Sequence, residues 1–174
     1  MLKELYNRIT EEDFEDLFQP ISGEELAVRQ KERLAKILHK GTCTENEDGT
    51  WSCTGDVDLS YMGLTNVPVK FKVVRGYFTI HKNNLISLEG SPKDVGKQFV
   101  CSNNLITSLQ GGPWRVGQTY YCNDNLNLVS FEGVPEFPGG SVYLSSTPLG
   151  DKLDVTSIPS RHLKHYIEKW KAMK

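Results

Sequence analysis

At 174 residues and 38% hydrophobic content the chain has the size of one ordinary domain and enough apolar surface to close a core, which excludes disorder as its default state. Its 20 Lys and Arg against 22 Asp and Glu leave a formal net charge of -2, so no global field draws it onto nucleic acid or an anionic membrane. There is no apolar run long enough to span a bilayer, and Met-Leu-Lys-Glu-Leu-Tyr at the start lacks the layout of a secretory signal, so a cytoplasmic protein is expected, with Cys43, Cys53, Cys101 and Cys122 as thiols.

The first segment reads as helical. Thr10-Glu11-Glu12-Asp13 starts one helix, over residues 10–18, and the capping-box pattern Ser22-Gly23-Glu24-Glu25 starts a second, over residues 22–40, with Pro20 between them and Gly41 as the stop. Residues 42–54 follow as TCTENEDGTWSCT, where Asp48-Gly49 signals a hairpin between two short arms. With a three-residue loop Cys43 would face Cys53, and oxidation would then permit a bridge between them.

A repeat comes next. The segments starting at Gly76, Gly96 and Gly117 read GYFTIHKNNLISLEGSPKDV, GKQFVCSNNLITSLQGGPWRV and GQTYYCNDNLNLVSFEGVPEFP, a period of about 20 to 22 residues that falls in the leucine-rich-repeat range. A first rung starts at Gly55 and a truncated last one at Gly140. Each repeat opens with alternation of period two, the mark of a short strand. Its apolar positions are Val57 and Leu59, Phe78 and Ile80, Phe99 and Cys101, Tyr120 and Cys122, and Val142 and Leu144, which should point inward. Leu64 and Val67, Leu85 and Leu88, Ile106 and Leu109, and Leu128 and Phe131 close the core from the opposite wall. Between the two sets lie Asn83, Asn84, Asn103, Asn104 and Asn125, suited to a ladder that satisfies turn amides. Glu/Gln-Gly-x-Pro then bends the chain back. Strands one period apart must run parallel, so the expected fold is a solenoid with a parallel β-sheet of about five short strands.

Cys101-Ser102-Asn103-Asn104 through Leu109, Gly111 and Pro113 resembles the C-S-N-N-x-L-T-S-L-E-G-x-P repeat of leucine-rich-repeat proteins in tailed bacteriophages. The resemblance covers roughly residues 42–150, with departures at Ile80-His81-Lys82 and an extra residue between Asn125 and Phe131. It implies a leucine-rich-repeat-like scaffold, and a partner in the infected host, such as a defence or metabolic enzyme that the protein inhibits. Ser160 starts a closing helix with Leu163, Tyr166, Ile167, Trp170 and Met173 at helical spacing. The organisation is thus a helical flank over 1–41, a hairpin cap plus solenoid over 42–150, and a C-terminal capping helix over 151–174.

Residues between the inward ones form outward rows: Tyr77, Gln98, Thr119 and Ser141; Asp58, Thr79, Val100, Tyr121 and Tyr143; Ser60, His81, Ser102, Asn123 and Ser145. Tyrosines on a rigid sheet offer contact area at little entropic cost, so Tyr77, Thr79, His81, Val100, Tyr121, Asn123 and Tyr143 form the candidate surface for a protein partner. The competing reading leaves the sheet solvated and gives binding to the N-terminal helices. No enzyme is expected and no cofactor is implied. Cys101 and Cys122 beside His81 fall in the inward register, Cys43 and Cys53 lack zinc-ligand spacing, and His162 with His165 lacks further ligands. The acidic run Glu11, Glu12, Asp13, Glu15 and Asp16 reads as a solvated helix start. A hydrolase that uses the acidic residues near Glu45, Glu47, Asp48, Asp56 and Asp58 with a divalent metal is a third alternative. No membrane partner is implied. A nucleic-acid-associated protein using Lys164, Lys169 and Lys171 is the alternative function, against which the near-neutral charge argues.

Overall fold

A computed structural model describes residues 22–173, so the expected helix over 10–18 and the acidic run within it lie outside the described residues. The chain divides into two units, Met1–Leu34 and Ala35–Lys174. In the first, helix α1 (Gly23–Leu38) starts at Ser22, whose Oγ accepts from the Glu25 amide at 3.1 Å, the bond its sequence pattern anticipates. Arg29 and Glu25 pair across one turn at 2.7 Å on its exposed side.

In the second unit, α1 ends on buried Leu38, and Gly41 takes the left-handed φ of +77° that ends a helix. Strands β1 (Cys43–Glu45) and β2 (Trp51–Cys53) form an antiparallel hairpin. Asn46 N donates to Thr50 O at 2.7 Å, leaving a three-residue loop in which Gly49 stands at φ +72°. That loop length sets Cys43 opposite Cys53, Cα atoms 4.0 Å apart, and the two are joined as a disulfide. The reading of all four cysteines as thiols is corrected here. Cys101 and Cys122 are free.

Beyond the hairpin the chain winds into a parallel-stranded β-solenoid of two walls. One wall holds β3 (Val57–Asp58), β5 (Phe78–Thr79), β7 (Phe99–Val100), β9 (Tyr120–Tyr121) and β11 (Val142–Tyr143), paired parallel in that order. Its register pairs Val57, Phe78, Phe99, Tyr120 and Val142 in one column, so the steps are 21, 21, 21 and 22 residues. The extra residue between Asn125 and Phe131 falls in the long step. The other wall was not foreseen: β4 (Phe71–Val74), β6 (Asp94–Val95), β8 (Arg115–Val116) and β10 (Phe137–Pro138) stack parallel on β2. The expected single sheet is therefore two sheets of six strands, the first completed by β12 (Ser157–Ile158), antiparallel to β11.

The core lies between the walls. Val57, Leu59, Phe78, Ile80, Phe99, Cys101, Tyr120, Cys122, Val142 and Leu144 are all fully buried, as are Leu85, Leu88, Ile106, Leu109 and Leu128 from the returning segments. Phe99 sits between Phe78, stacked 5.8 Å away with the ring planes nearly parallel, and Tyr120, 4.9 Å away. Burying each ring contributes about 1.5–3 kcal/mol. Val74, Val95 and Val116 close the second wall.

The turn off the first wall repeats a device at every coil. Tyr61, Lys82, Asn103, Asp124 and Ser146 each take a left-handed φ between 50° and 57°. The next residue turns inward. Asn83 Oδ1 accepts from Met62 N and Leu64 N, and its Nδ2 donates to Leu59 O and Ile80 O at 2.9 and 3.0 Å. Asn104 accepts from Leu85 N and donates to Ile80 O and Cys101 O, each at 3.0 Å, and Asn125 repeats the pattern one coil on. The ladder is Asn83, Asn104 and Asn125 alone. Asn84 and Asn103, also expected in it, stay out: Asn103 is exposed, and Asn84 sits past the ladder position with its amide bonded to Leu64 O.

At the far end come helix α2 (Pro148–Leu153), capped by Thr147, then β12 and helix α3 (Leu163–Lys171), preceded by a 3₁₀ turn at Ser160–His162. Trp170 of α3 meets Phe131 edge-on at 5.9 Å and donates from Nε1 to Val129 O, covering the last coil. Among the described residues no helix is long and apolar enough to cross a membrane.

Candidate partner-binding face

Outward residues of the β3–β11 wall recur every coil because alternate strand residues point to opposite faces. The register puts Thr79, Val100, Tyr121 and Tyr143 in one row, with Asp58 ahead of them. Tyr77 stands in the neighbouring row, and His81 and Asn123 in the third. All seven candidate residues are thus brought to one face. Tyr121 and Tyr143 stack at 4.9 Å with planes 23° apart, and Tyr143 keeps 38% of its surface. Hydrogen bonds between coils steady the polar members: Ser60 and Thr79 hydroxyls lie 3.1 Å apart, and Ser102 Oγ donates to Asn123 Oδ1 at 2.7 Å. Asn123 Nδ2 also donates to Asp124. The face is a fixed surface of ringed and neutral polar groups.

Sequence reasoning missed Tyr61, which is 62% exposed at the first left-handed corner. Its ring meets His81 edge-on at 4.8 Å, and Lys82 Nζ stands 5.1 Å from its centroid, so the face extends to an aromatic and basic corner. The available signal was the place of Tyr61, 21 residues before Lys82 in the repeat. The second wall carries another exposed pair, Trp114 and Phe137, edge-on at 5.4 Å. Ile86, Leu105, Leu126 and Val129 add exposed aliphatic groups to the returning segments.

The thiols point away from this chemistry. Cys101 and Cys122 donate from Sγ to Tyr121 O and Tyr143 O, and burial pushes Cys101 up to about 12 and Cys122 well above its usual range. Neither forms a thiolate near neutral pH, which a nucleophile or metal ligand needs. Burial likewise raises the Tyr120 hydroxyl well above its usual range. The acidic residues near the hairpin diverge. Asp48 bonds Thr50 and pairs with Lys72 at 3.1 Å, which holds its carboxyl at about 2, while Asp56 pairs with Lys97 at 3.4 Å. Among the described residues no three His, Cys, Asp or Glu side chains gather as a metal site.

On α3, Lys169 Nζ donates to Leu153 O and lies over Tyr166, and Lys171 pairs with Glu168. Two of the three lysines invoked for nucleic acid are therefore engaged within the fold. No protein-family model, no curated protein and no solved structure matches the chain.

Proposed function

We propose that the protein is a non-enzymatic, protein-binding scaffold of the leucine-rich-repeat-like kind, which grips its partner with the face that carries Tyr77, Thr79, His81, Val100, Tyr121, Asn123 and Tyr143. The observation that carries this reading is the stacked Tyr121–Tyr143 pair on a hydrogen-bonded wall. Tyrosine loses two torsions on binding, and here the stack and the sheet have already restricted them, so contact area comes at low entropic cost. The resemblance of the repeat to bacteriophage leucine-rich-repeat proteins supports a host or defence protein as the target and inhibition by occupancy as the mode, in the host cytoplasm. There the hairpin cysteines would meet a reducing pool, and the solenoid, which holds no other disulfide among the described residues, does not depend on them.

Cross-linking capture from host lysate tests the reading with three full-length proteins: the native chain, Tyr121→Ala/Tyr143→Ala, and Trp114→Ala/Phe137→Ala. A partner lost only with the tyrosines removed supports it. A partner lost only with Trp114 and Phe137 removed moves binding to the opposite wall and defeats it.

A further inference from the structure

On each wall of the solenoid the strands pair in parallel, so every inner strand bonds both the preceding and the following coil. On the β3–β11 wall Phe78 N donates to Gln98 O of the following coil at 2.9 Å, and at the far end β12 turns back to receive the last donor, Leu144 N to Thr156 O at 2.8 Å. On the other wall the glycines that follow the strands donate to the preceding coil: Gly117 N to Val95 O at 2.8 Å, Gly139 N to Val116 O at 2.7 Å, Gly140 N to Gln118 O at 2.8 Å. No strand follows β10 on that wall. The carbonyls of Glu136, Pro138 and Gly140 occupy the acceptor positions of Trp114, Val116 and Gln118 one coil on, and among the described residues nothing donates to them. Beside this edge runs a groove of about 430 Å³, bounded by Val134 and Pro138 on the strand side and by Leu163, Lys164 and Ile167 on α3.

We propose that this edge is a second binding site, separate from the tyrosine face, that takes an extended polypeptide strand parallel to β10. The row of acceptors fixes the occupant's chemistry: it must supply backbone N–H groups at the positions that Phe137, Gly139 and Gly140 hold one coil earlier, which excludes proline there. The chain's own coils fix the side chains. The two strands before β10 each have an inward apolar residue followed by glycine, Val95 with Gly96 and Val116 with Gly117, whereas β4 has Arg75 after Val74. A Cβ on Gly117 would fall within 3.0 Å of Gly96 O, and one on Gly139 within 3.0 Å of Gly117 O, closer than real Cβ atoms come. Gly139 O presents the same obstacle to the incoming strand, so the segment bound is an apolar residue followed by glycine. The apolar side chain then lies against Pro138 and Ile167.

The test uses a probe that imitates one further coil, the fluorophore-labelled octapeptide Gly-Pro-Trp-Arg-Val-Gly-Gln-Thr copied from residues 112–119, titrated with the full-length protein by anisotropy. Saturable binding is expected, weakened at least about tenfold when the glycine after valine is replaced by alanine. Ile167→Trp, which fills the groove from the helix side, should weaken it as well. Absence of saturable binding up to about 1 mM protein, or equal affinity of the glycine and alanine peptides, overturns the proposal. The peptide comparison decides even if the Ile167 variant folds poorly.

Discussion

Replacing Asn104 by alanine separates the side-chain ladder from the sequence feature that announces it. Asn104 Oδ1 is the acceptor for the Leu85 amide at 3.0 Å, and its Nδ2 donates to Ile80 O and Cys101 O. Alanine leaves the Leu85 N–H buried without a partner, which costs about 1–3 kcal/mol. The two carbonyls keep a donor each, from Asn83 and Asn125, so their loss adds about 1 kcal/mol rather than a full penalty. The sum is about 3 kcal/mol. The adjacent Asn103 is the internal control: it is exposed at φ 57°, and alanine there costs about 1 kcal/mol for the left-handed conformation. Urea denaturation followed by circular dichroism reads the difference. With a slope near 3 kcal/mol per molar, Asn104→Ala lowers the midpoint by about 1 M and Asn103→Ala by about a third of that. Equal shifts from the two substitutions would refute the ladder.

Three further outcomes follow from the packing. Phe99→Ala should lower stability by about 3–5 kcal/mol in the same assay, whereas Tyr143→Ala, on the outer face, should cost under about 1 kcal/mol. Gly117→Ala drives a Cβ into the backbone of the preceding coil and should cost more than about 2 kcal/mol, read as a large drop in thermal midpoint, although alanine normally stabilises strands relative to glycine. Reducing the Cys43–Cys53 bridge opens a short loop and should cost at most about 3 kcal/mol, with amide exchange rising at residues 43–53 and unchanged at the strands around Phe99.

Much of the first wall was legible because its signal is strong: two inward apolar residues at period two in every coil, and an inward asparagine after the corner in the three middle coils. Phe78, Phe99 and Tyr120 could be read as one column on that basis. The second wall was not legible, because its middle strands, β6 and β8, each have two paired residues and a single inward one, Val95 or Val116, set beside charged Asp94 or Arg115. Such a segment carries no alternation to detect. Aligning the glycines also misled. Gly76 and Gly96 suggest a step of 20, but the strands pair Phe78 with Phe99, so Gly96 stacks on Arg75 and the asparagine doublets shift by one. That shift is why Asn83 and Asn104 lie in the ladder while Asn84 and Asn103 do not. The candidate face was legible to the extent that register follows from the inward set. Tyr61 escaped because its corner residue varies from coil to coil, and Trp114 and Phe137 because their wall was unseen. The disulfide was legible only as a geometric option, since a cysteine pair in a hairpin does not reveal its redox state.

Coil stacking itself is most directly tested by a nuclear Overhauser spectrum of the protein with labelled phenylalanine and tyrosine rings. Ring protons of Phe99 should show cross-peaks to both Phe78 and Tyr120, whose centroids lie 5.8 and 4.9 Å away. Cross-peaks to neither, in a folded sample, would contradict the solenoid.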